Sequence, residues 1–249
     1  MARLGEMAKT GMAIVATLTM MAALAASVAA QGIYTSSNTG YDISWPQCDG
    51  AYPRTNAYVL GVVGVTSGHA FRNNPCFASQ YAWAAHTLSP EAVYLNLNED
   101  LGTTSPYGDT GPYGTCREGE RCHALNYGYN AASSAYTYAA RQAPTFVAQL
   151  WWLDIETENS WAEEDLGRNR AVIEGAVRYL KEERHFMVGI YSTPAMWEEI
   201  TGKWQVGLPV WTAGATKANA PTKCGVGFTG GPVWLVQYLD GDYDGNYAC

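Results

Sequence analysis

A segment that ends in two acids two residues apart, Trp151-Trp152-Leu153-Asp154-Ile155-Glu156, carries the clearest chemical signal in the chain. Side chains alternate between faces along a β-strand, so Asp154 and Glu156 would point to the same side, roughly 6.6 Å apart along the backbone. Carboxyl groups at such a separation can flank one glycosidic bond and act on it as acid and base. The alternative is a structural aspartate bonded to loop amides beside a solvated glutamate, and the residues alone leave both readings open.

The residues before this acid pair predict a buried strand. Phe146-Val147-Ala148-Gln149-Leu150 is mainly apolar, as expected for a parallel strand that is covered on both faces. In parallel sheets the catalytic and binding residues lie where the strands end. Two neighbouring buried carboxylates cannot both ionise easily, because like charges raise one another's pKa. We therefore expect an acidic site at one edge of a sheet.

Residues 1–30 have the pattern of a secretory signal peptide. A positively charged start precedes a nearly unbroken apolar run, and small residues offer a cleavage site after Ala30. The apolar run is close to the lower length limit for a membrane span, so an uncleaved anchor is the alternative. We expect residues 31–249 to form one secreted, extracellular domain that acts as a monomer and does not contact a membrane once the leader is removed.

All six cysteines lie in the part predicted to be exported. An even number in an oxidising compartment predicts disulfides rather than metal ligands, although many pairings are open. The spacings match no zinc pattern and the four histidines are scattered, so neither a metal nor another cofactor is expected. Proximity along the chain favours the pairs Cys48–Cys76, Cys116–Cys122 and Cys224–Cys249.

Charge and aromatic content narrow the class of partner. The formal net charge of −8 argues against nucleic acid and against an anionic membrane as partners. The chain also has 9 tryptophans and 17 tyrosines, whose ring faces suit the apolar C–H faces of sugars. Aromatic residues also fill protein cores, so this composition favours a glycan partner without requiring one.

Strands and helices alternate in the first part of the predicted exported region and give way to strands with little between them. The predicted strands are 41–45, 58–65, 92–97, the segment that ends at the acid pair, 186–191, 208–212, 233–238 and 243–247. Helices are predicted from Pro75 to Ala85, before Pro144, after a capping box at Ser160-Trp161-Ala162-Glu163, and from Pro194.

This order predicts an α/β fold, a TIM-like barrel of eight parallel-type strands with helices mainly after the first five, written (β/α)5(β)3. In a closed barrel the eighth strand lies beside the first, which would bring Asp244 next to Asp42. The long segment from Asn98 to Tyr127 holds Cys116 and Cys122, and we expect it to form an ordered flap near the strand ends.

Six short motifs follow one another along the predicted strands. They are Asp42-Ile43-Ser44, Asp154-Ile155-Glu156, Gly189-Ile190-Tyr191-Ser192, Val210-Trp211, Val236-Gln237-Tyr238 and Tyr243-Asp244-Gly245-Asn246. In type and order this set resembles glycoside hydrolase family 25, the muramidases that cut bacterial peptidoglycan, and the looser group of secreted glycoside-hydrolase-like barrels around it. Each motif alone is weak, whereas six in the same order over nearly the whole of residues 31–249 are fairly specific.

The resemblance implies roles for the matching residues. Glu156 would be the general acid, and Asp154 would stabilise a cationic transition state or orient a 2-acetamido group that acts as the nucleophile. Asp42 and Asp244 would complete an acidic cup at the barrel mouth. Contacts to the sugar are expected from Tyr191, Trp211, Gln237, Tyr94, Asn96 and Trp45.

The chain also departs from the family pattern. Gly64-Val65-Thr66-Ser67-Gly68 lacks the lysine and the glutamate expected after the second strand, and no histidine follows Tyr94. These differences leave the carboxylates in place and alter the groups around them. The sequence therefore predicts a secreted glycosidase for a β-linked glycan, with peptidoglycan as the favoured substrate and carboxylate acid–base catalysis. The alternative is an inactive glycan-binding barrel of the cell envelope.

Overall fold

Eight strands of the chain close into one barrel. The structure is a computed structural model that describes residues 33–54, 58–99 and 106–249. The predicted signal peptide at residues 1–30 lies outside these ranges. The strands are β1 Thr39–Ile43, β2 Leu60–Gly64, β3 Ala92–Asn96, β4 Leu150–Asp154, β5 Met187–Ser192, β6 Val210–Ala215, β7 Val233–Asp240 and β8 Tyr243–Ala248. The predicted TIM-like α/β barrel is confirmed.

Strand direction differs from the prediction at one position. Neighbours from β1 to β7 are parallel, but β8 is antiparallel to both β7 and β1. Only Gly241 and Asp242 connect β7 to β8, and a connection that short can join only antiparallel strands. The beginning of β8 therefore lies at the edge where β1 to β7 end. Asp244 pairs with Asp42 in the register of β1 and β8, as predicted.

Helices follow β2 to β6 rather than the first five strands. They are α1 Phe77–Ala84, α2 Arg121–Gln142, α3 Leu166–Val177, α4 Pro194–Thr201 and α5 Ala220–Lys223, and a π-helical turn at Arg178–Glu183 extends α3. Between β1 and β2 the described residues contain a single 3-10 turn, Trp45–Gln47. Across the described part of the chain, no helix combines the length and the apolar character that a membrane crossing requires.

Two predicted boundaries beside β4 were wrong. The strand begins at Leu150 rather than near Phe146, and Val147 before it is 59% exposed. The next helix begins at Leu166, where the Asp165 side chain accepts a hydrogen bond from the backbone N–H of Arg168. The residues predicted as a capping box, Ser160 to Glu163, form a loop instead, because Asp165 caps the helix five residues later.

Alternation along the strands separates two apolar layers. Leu153 and Ile190 belong to the core between the barrel and its helices. Trp152 faces inward, with its ring centroid 5.7 Å from that of Trp211. A Cβ atom at Gly189 would lie 2.2 Å from the Trp152 ring, so this position on β5 has no room for a side chain. The barrel interior below the strand ends is thus filled by aromatic rings.

Three disulfides join the cysteines in the pairs that proximity favoured. Cys48–Cys76 connects the turn after β1 to the start of α1, and Cys224–Cys249 connects the end of α5 to the last residue. Cys116–Cys122 ties a small hairpin, Thr110–Gly111 with Gly114–Thr115, to the first turn of α2.

The hairpin also packs against α2 through one buried amide. Asn126 donates from Nδ2 to the carbonyl oxygens of Gly108 and Gly114, and its Oδ1 accepts from Tyr113 N. At the other end Tyr107 stacks on Phe71, with ring centroids 3.7 Å apart. Residues 106–127 of the predicted flap therefore pack against α2 and reach the loop after β2, and residues 100–105 lie outside the described ranges.

Candidate active site

A pocket of about 250 Å³ opens at the barrel edge where β1 to β7 end and β8 begins. Every side chain that lines it belongs to the set predicted from the sequence as catalytic or sugar-binding. The lining residues are Asp42, Tyr94, Asp154, Glu156, Tyr191, Trp211, Gln237 and Asp244. Residues separated by up to two hundred positions in the chain thus meet around one small volume.

Asp42, on β1, is the most extensively hydrogen-bonded acid of the pocket. It is 6% exposed, and its carboxyl accepts from Asn246 Nδ2 at 2.6 Å and from Gln237 Nε2 at 3.1 and 3.2 Å. Burial, followed by repulsion from Asp244, raises the pKa of Asp42 to about 8, although both hydrogen-bond donors oppose that rise. Burial also raises the pKa of Asp244, which is partly exposed. Asp42 therefore holds a proton at neutral pH.

Asp154 and Glu156 form the second acid pair. Asp154 is the last residue of β4 and is 4% exposed, whereas Glu156 is more accessible. Burial raises the pKa of both groups, and that of Asp154 is raised well above its ordinary value with Glu156 as the next cause. The interaction between the two side chains raises the pKa of Asp154 and lowers that of Glu156. The two acids therefore titrate as a pair, in which Asp154 is the more readily protonated member.

The predicted spacing of roughly 6.6 Å assumed that both acids continue one strand. Strand β4 ends at Asp154, and the backbone N–H of Asn159 and Nε1 of Trp161 both donate to the carbonyl oxygen of Glu156. Glu156 therefore begins the turn that follows the strand.

Asn96, predicted to contact the sugar, lies behind the acid pair instead of lining the pocket. Its Oδ1 accepts from Thr66 Oγ1 at 2.8 Å and from the backbone N–H of Gly68 at 3.1 Å. These two donors fix the amide so that Nδ2 donates to Asp154 Oδ2. Trp45, also predicted as a sugar contact, is 49% exposed in the turn after β1 and lies outside the lining set.

Aromatic and amide groups form the uncharged part of the pocket. The ring centroid of Tyr191 lies 4.6 Å from that of Trp211, and the Tyr191 hydroxyl donates to Gln237 Oε1 at 2.7 Å. Burial, followed by the nearby carboxylates, raises the pKa of Tyr94 and Tyr191 well above 10. Both phenols therefore remain neutral hydrogen-bonding groups over the whole physiological range of pH.

Two residues that organise the site were not predicted as site residues. Asn246 is fully buried, donates to Asp42 and accepts from Trp211 Nε1 at 2.7 Å. Thr66 orients Asn96. Asn246 could have been found from alternation, because it is two residues beyond Asp244 on the same strand face. Thr66 lies beyond the end of β2, where strand alternation makes no prediction.

The pocket has the electrostatic character of a site for a developing positive charge. None of its eight lining side chains is basic, and four of them are carboxyls. Outside the pocket, one group of three potential metal ligands converges in the described residues, namely Cys116, Glu120 and Cys122. Its two cysteines are joined in a disulfide, so they cannot act as thiolate ligands.

Comparisons with known sequences point to lysozyme-like proteins. A sequence profile of the family described as Lysozyme-like protein 1 matches residues 121–223, a range that includes Asp154, Glu156, Tyr191 and Trp211. No curated protein sequence matches the chain significantly.

Solved structures of lysozymes and muramidases share the fold. A bacterial lysozyme from Streptomyces coelicolor has 19% identity and a TM-score of 0.56 over 86% of this chain and 93% of its own. A family GH25 lysozyme from Aspergillus fumigatus has 16% identity and a TM-score of 0.58, over 85% and 94%. A muramidase from Acremonium alcalophilum has 18% identity and a TM-score of 0.56, over 85% and 93%. The predicted resemblance to glycoside hydrolase family 25 is confirmed in the fold.

Proposed function

We propose that this protein is a secreted glycosidase that cleaves the β-linked glycan of peptidoglycan in the manner of a muramidase. The observation that carries the proposal is the meeting of four carboxyl groups, all with raised pKa values, in one open pocket at the barrel edge. A carboxyl with a raised pKa stays protonated at higher pH than a free one, which is what protonation of a glycosidic oxygen requires. The lysozyme and muramidase structures that share the fold support the choice of substrate.

Glu156 is the acid best placed to donate a proton. It is the more accessible member of its pair, and burial raises its pKa, although the hydrogen bond with Asp154 acts in the opposite direction. As the proton passes to the leaving oxygen and the glycosidic C–O bond breaks, the negative charge developing on Glu156 stabilises the oxocarbenium-like transition state. Water then adds to the anomeric carbon and returns a proton to Glu156. Asp154, held by Asn96, would stabilise the same cation or orient a 2-acetamido group of the substrate.

The opposite side of the pocket would complete the reaction site. Asp42 and Asp244 pair in the register of β1 and β8, and the carboxylate of Asp244 would add negative potential at the sugar ring. Tyr191, Trp211 and Gln237 offer a hydroxyl, an aromatic face and an amide, the mixture that binds the polar rim and apolar face of a sugar. The three disulfides are typical of an exported enzyme, and the signal peptide predicted at residues 1–30 would direct its secretion.

Replacement of Glu156 by glutamine tests the proposal, because it removes the proton donor while keeping the side-chain volume. Purified protein is incubated with peptidoglycan and with chitooligosaccharides from pH 4 to 8, and released reducing ends are measured. Loss of general-acid catalysis should lower kcat by about 10² to 10⁴. The matched control is Glu118→Gln, because Glu118 is exposed and lies in the segment before α2.

Binding separates this function from its alternative. Pull-down with insoluble peptidoglycan should retain both the wild-type protein and Glu156→Gln, because glutamine preserves the shape of the site. A wild-type protein that binds glycan and releases no reducing ends at any pH would instead be an inactive glycan-binding barrel.

A further inference from the structure

A second and larger pocket, of about 440 Å³, lies between the loop that follows β4 and the last turn of α4. Its lining side chains include Thr157, Asn159, Trp161, Glu163 and Glu199, none of which lines the acid pocket. Its volume falls in the range of small-ligand sites. The proposed catalytic reaction uses none of these side chains.

One buried polar group in this pocket has no partner in the protein. Asn159 is 9% exposed, and its Nδ2 finds no acceptor among the residues that the structure describes. A buried amide donor without an acceptor costs about 1–3 kcal/mol, so such groups are rare unless a ligand or water satisfies them. The backbone of Asn159 is held in place, since its N–H donates to the carbonyl oxygen of Glu156. A carbonyl oxygen of a ligand would supply the missing acceptor.

Two carboxylates of the same pocket are also unpaired. Glu163 and Glu199 are exposed, and neither makes an ion pair or a side-chain hydrogen bond with any part of the described chain. Their neighbour Glu198, in contrast, pairs with Lys203 at 2.7 Å. Two free carboxylates around one cavity attract a cation, and an ammonium group is a cation that can also donate hydrogen bonds. The pocket therefore suits a ligand that combines an ammonium group with a carbonyl oxygen.

The second pocket and the acid pocket share one loop. Thr157 lines the second pocket and directly follows Glu156, which lines the first, and consecutive Cα atoms are about 3.8 Å apart. Trp161, a wall of the second pocket, donates from Nε1 to the carbonyl oxygen of Glu156 at 2.8 Å. A substrate with a group attached beside the cleaved bond could occupy both pockets.

We infer that this second pocket binds the peptide attached to the glycan, with its ammonium group at Glu163 and Glu199 and a peptide carbonyl at Nδ2 of Asn159. The inference rests on the proposed function, since it takes peptidoglycan as the substrate. Peptidoglycan carries short peptides beside its glycosidic bonds, and these supply both an amine and amide carbonyls. The protein would thus recognise peptide-bearing glycan in preference to bare glycan.

A peptide that contains one ammonium group tests the pocket directly. The probe is acetyl-Ala-Lys-Ala amide, compared with the same peptide acetylated on the lysine Nζ, and binding to the whole protein is measured by calorimetry at low salt. We expect the affinity to fall about fivefold or more upon acetylation of the probe, and equally in the Glu163→Gln/Glu199→Gln variant. The control is Glu164→Gln, because Glu164 is exposed beside Glu163 and lies outside the pocket lining. Thermal melting verifies that each variant is folded.

Hydrolysis provides the second measurement. The ratio of KM for peptide-free glycan to KM for intact peptidoglycan should fall about fivefold in the double variant, because only the intact substrate reaches the second pocket. No binding of the probe to wild-type protein, or unchanged affinity in the double variant or with the acetylated probe, would overturn the inference. These binding results do not depend on cleavage, so they remain decisive even if Glu156→Gln shows that the proposed hydrolysis does not occur.

Discussion

Replacement of Asp42 by asparagine should flatten the dependence of the unfolding free energy on pH between about 4 and 8. In the folded protein the pKa of this carboxyl is raised from 3.8 to about 8, chiefly by burial. Between those values the unfolded chain releases the proton while the folded protein keeps it. The contribution to stability is therefore fully present below the lower pKa and is lost as the pH rises towards the higher one.

The structure sets the size of this effect. One unit of pKa corresponds to about 1.4 kcal/mol, so the shift of Asp42 from 3.8 to about 8 amounts to at most about 6 kcal/mol. Asp154, Glu156 and Asp244 also have raised pKa values, so they act in the same direction. Since small domains are stable by about 5–15 kcal/mol in total, the wild-type protein should be markedly more stable at pH 4.5 than at pH 8.

Urea denaturation followed by tryptophan fluorescence, at pH values from 4 to 8, measures the effect. The slope against pH is the quantity compared, because asparagine also changes the hydrogen bonds that Gln237 and Asn246 make with residue 42. Asp240 is the comparator whose pKa is shifted the other way. A hydrogen bond from Lys217, then one from Tyr41, lowers its pKa below 3.8, so its contribution to stability is lost only at more acidic pH, and Asp240→Asn should leave the decline between pH 5 and 8 unchanged.

Two results would refute this reasoning. One is a wild-type stability that stays constant or increases from pH 4.5 to pH 8. The other is a decline in Asp42→Asn as steep as that of the wild-type protein. Either result would mean that the buried carboxyl ionises at nearly the same pH in the folded and unfolded states.

Two further changes test the packing and the electrostatics of the site. Gly189→Ala should destabilise the protein by about 1–3 kcal/mol in the same urea assay, because the added Cβ would lie 2.2 Å from the Trp152 ring. The control is Gly225→Ala, whose added Cβ meets no atom within 4 Å and should leave the stability nearly unchanged. Glu158→Gln should move the alkaline limit of glycan hydrolysis to lower pH, because the charge of Glu158 raises the pKa of Glu156. A pH profile of hydrolysis that is unchanged at low salt would contradict this coupling.

Some residues of the acid pocket could be predicted from local patterns. Alternation within one strand sets which side chains share a face, and parallel strands bring their ends to one edge. Asp154 could therefore be assigned from its own strand, whereas Trp211 was assigned because its motif resembles one of glycoside hydrolase family 25. Asp42 and Asp244 needed one further step, the closure of the barrel, which the count of eight strands supplied.

Contacts between distant segments followed no such pattern. The placement of Asn96 behind Asp154 depends on Thr66 and on the backbone of the next loop, and the position of Glu156 depends on the turn that follows the strand. The second pocket is formed by one loop and by a helix some forty residues later. Distances of this kind are set by how elements pack.

Taken alone, the amino-acid sequence determined the barrel and its inward-facing acids and favoured the cysteine pairs nearest in the chain, because strand periodicity and short separations act locally. The tertiary structure decided the reversed direction of β8, the raised pKa of Asp154 and the unpaired amide of Asn159. These features depend on burial and on the distance between groups remote in the chain, and both quantities exist only once the chain has folded.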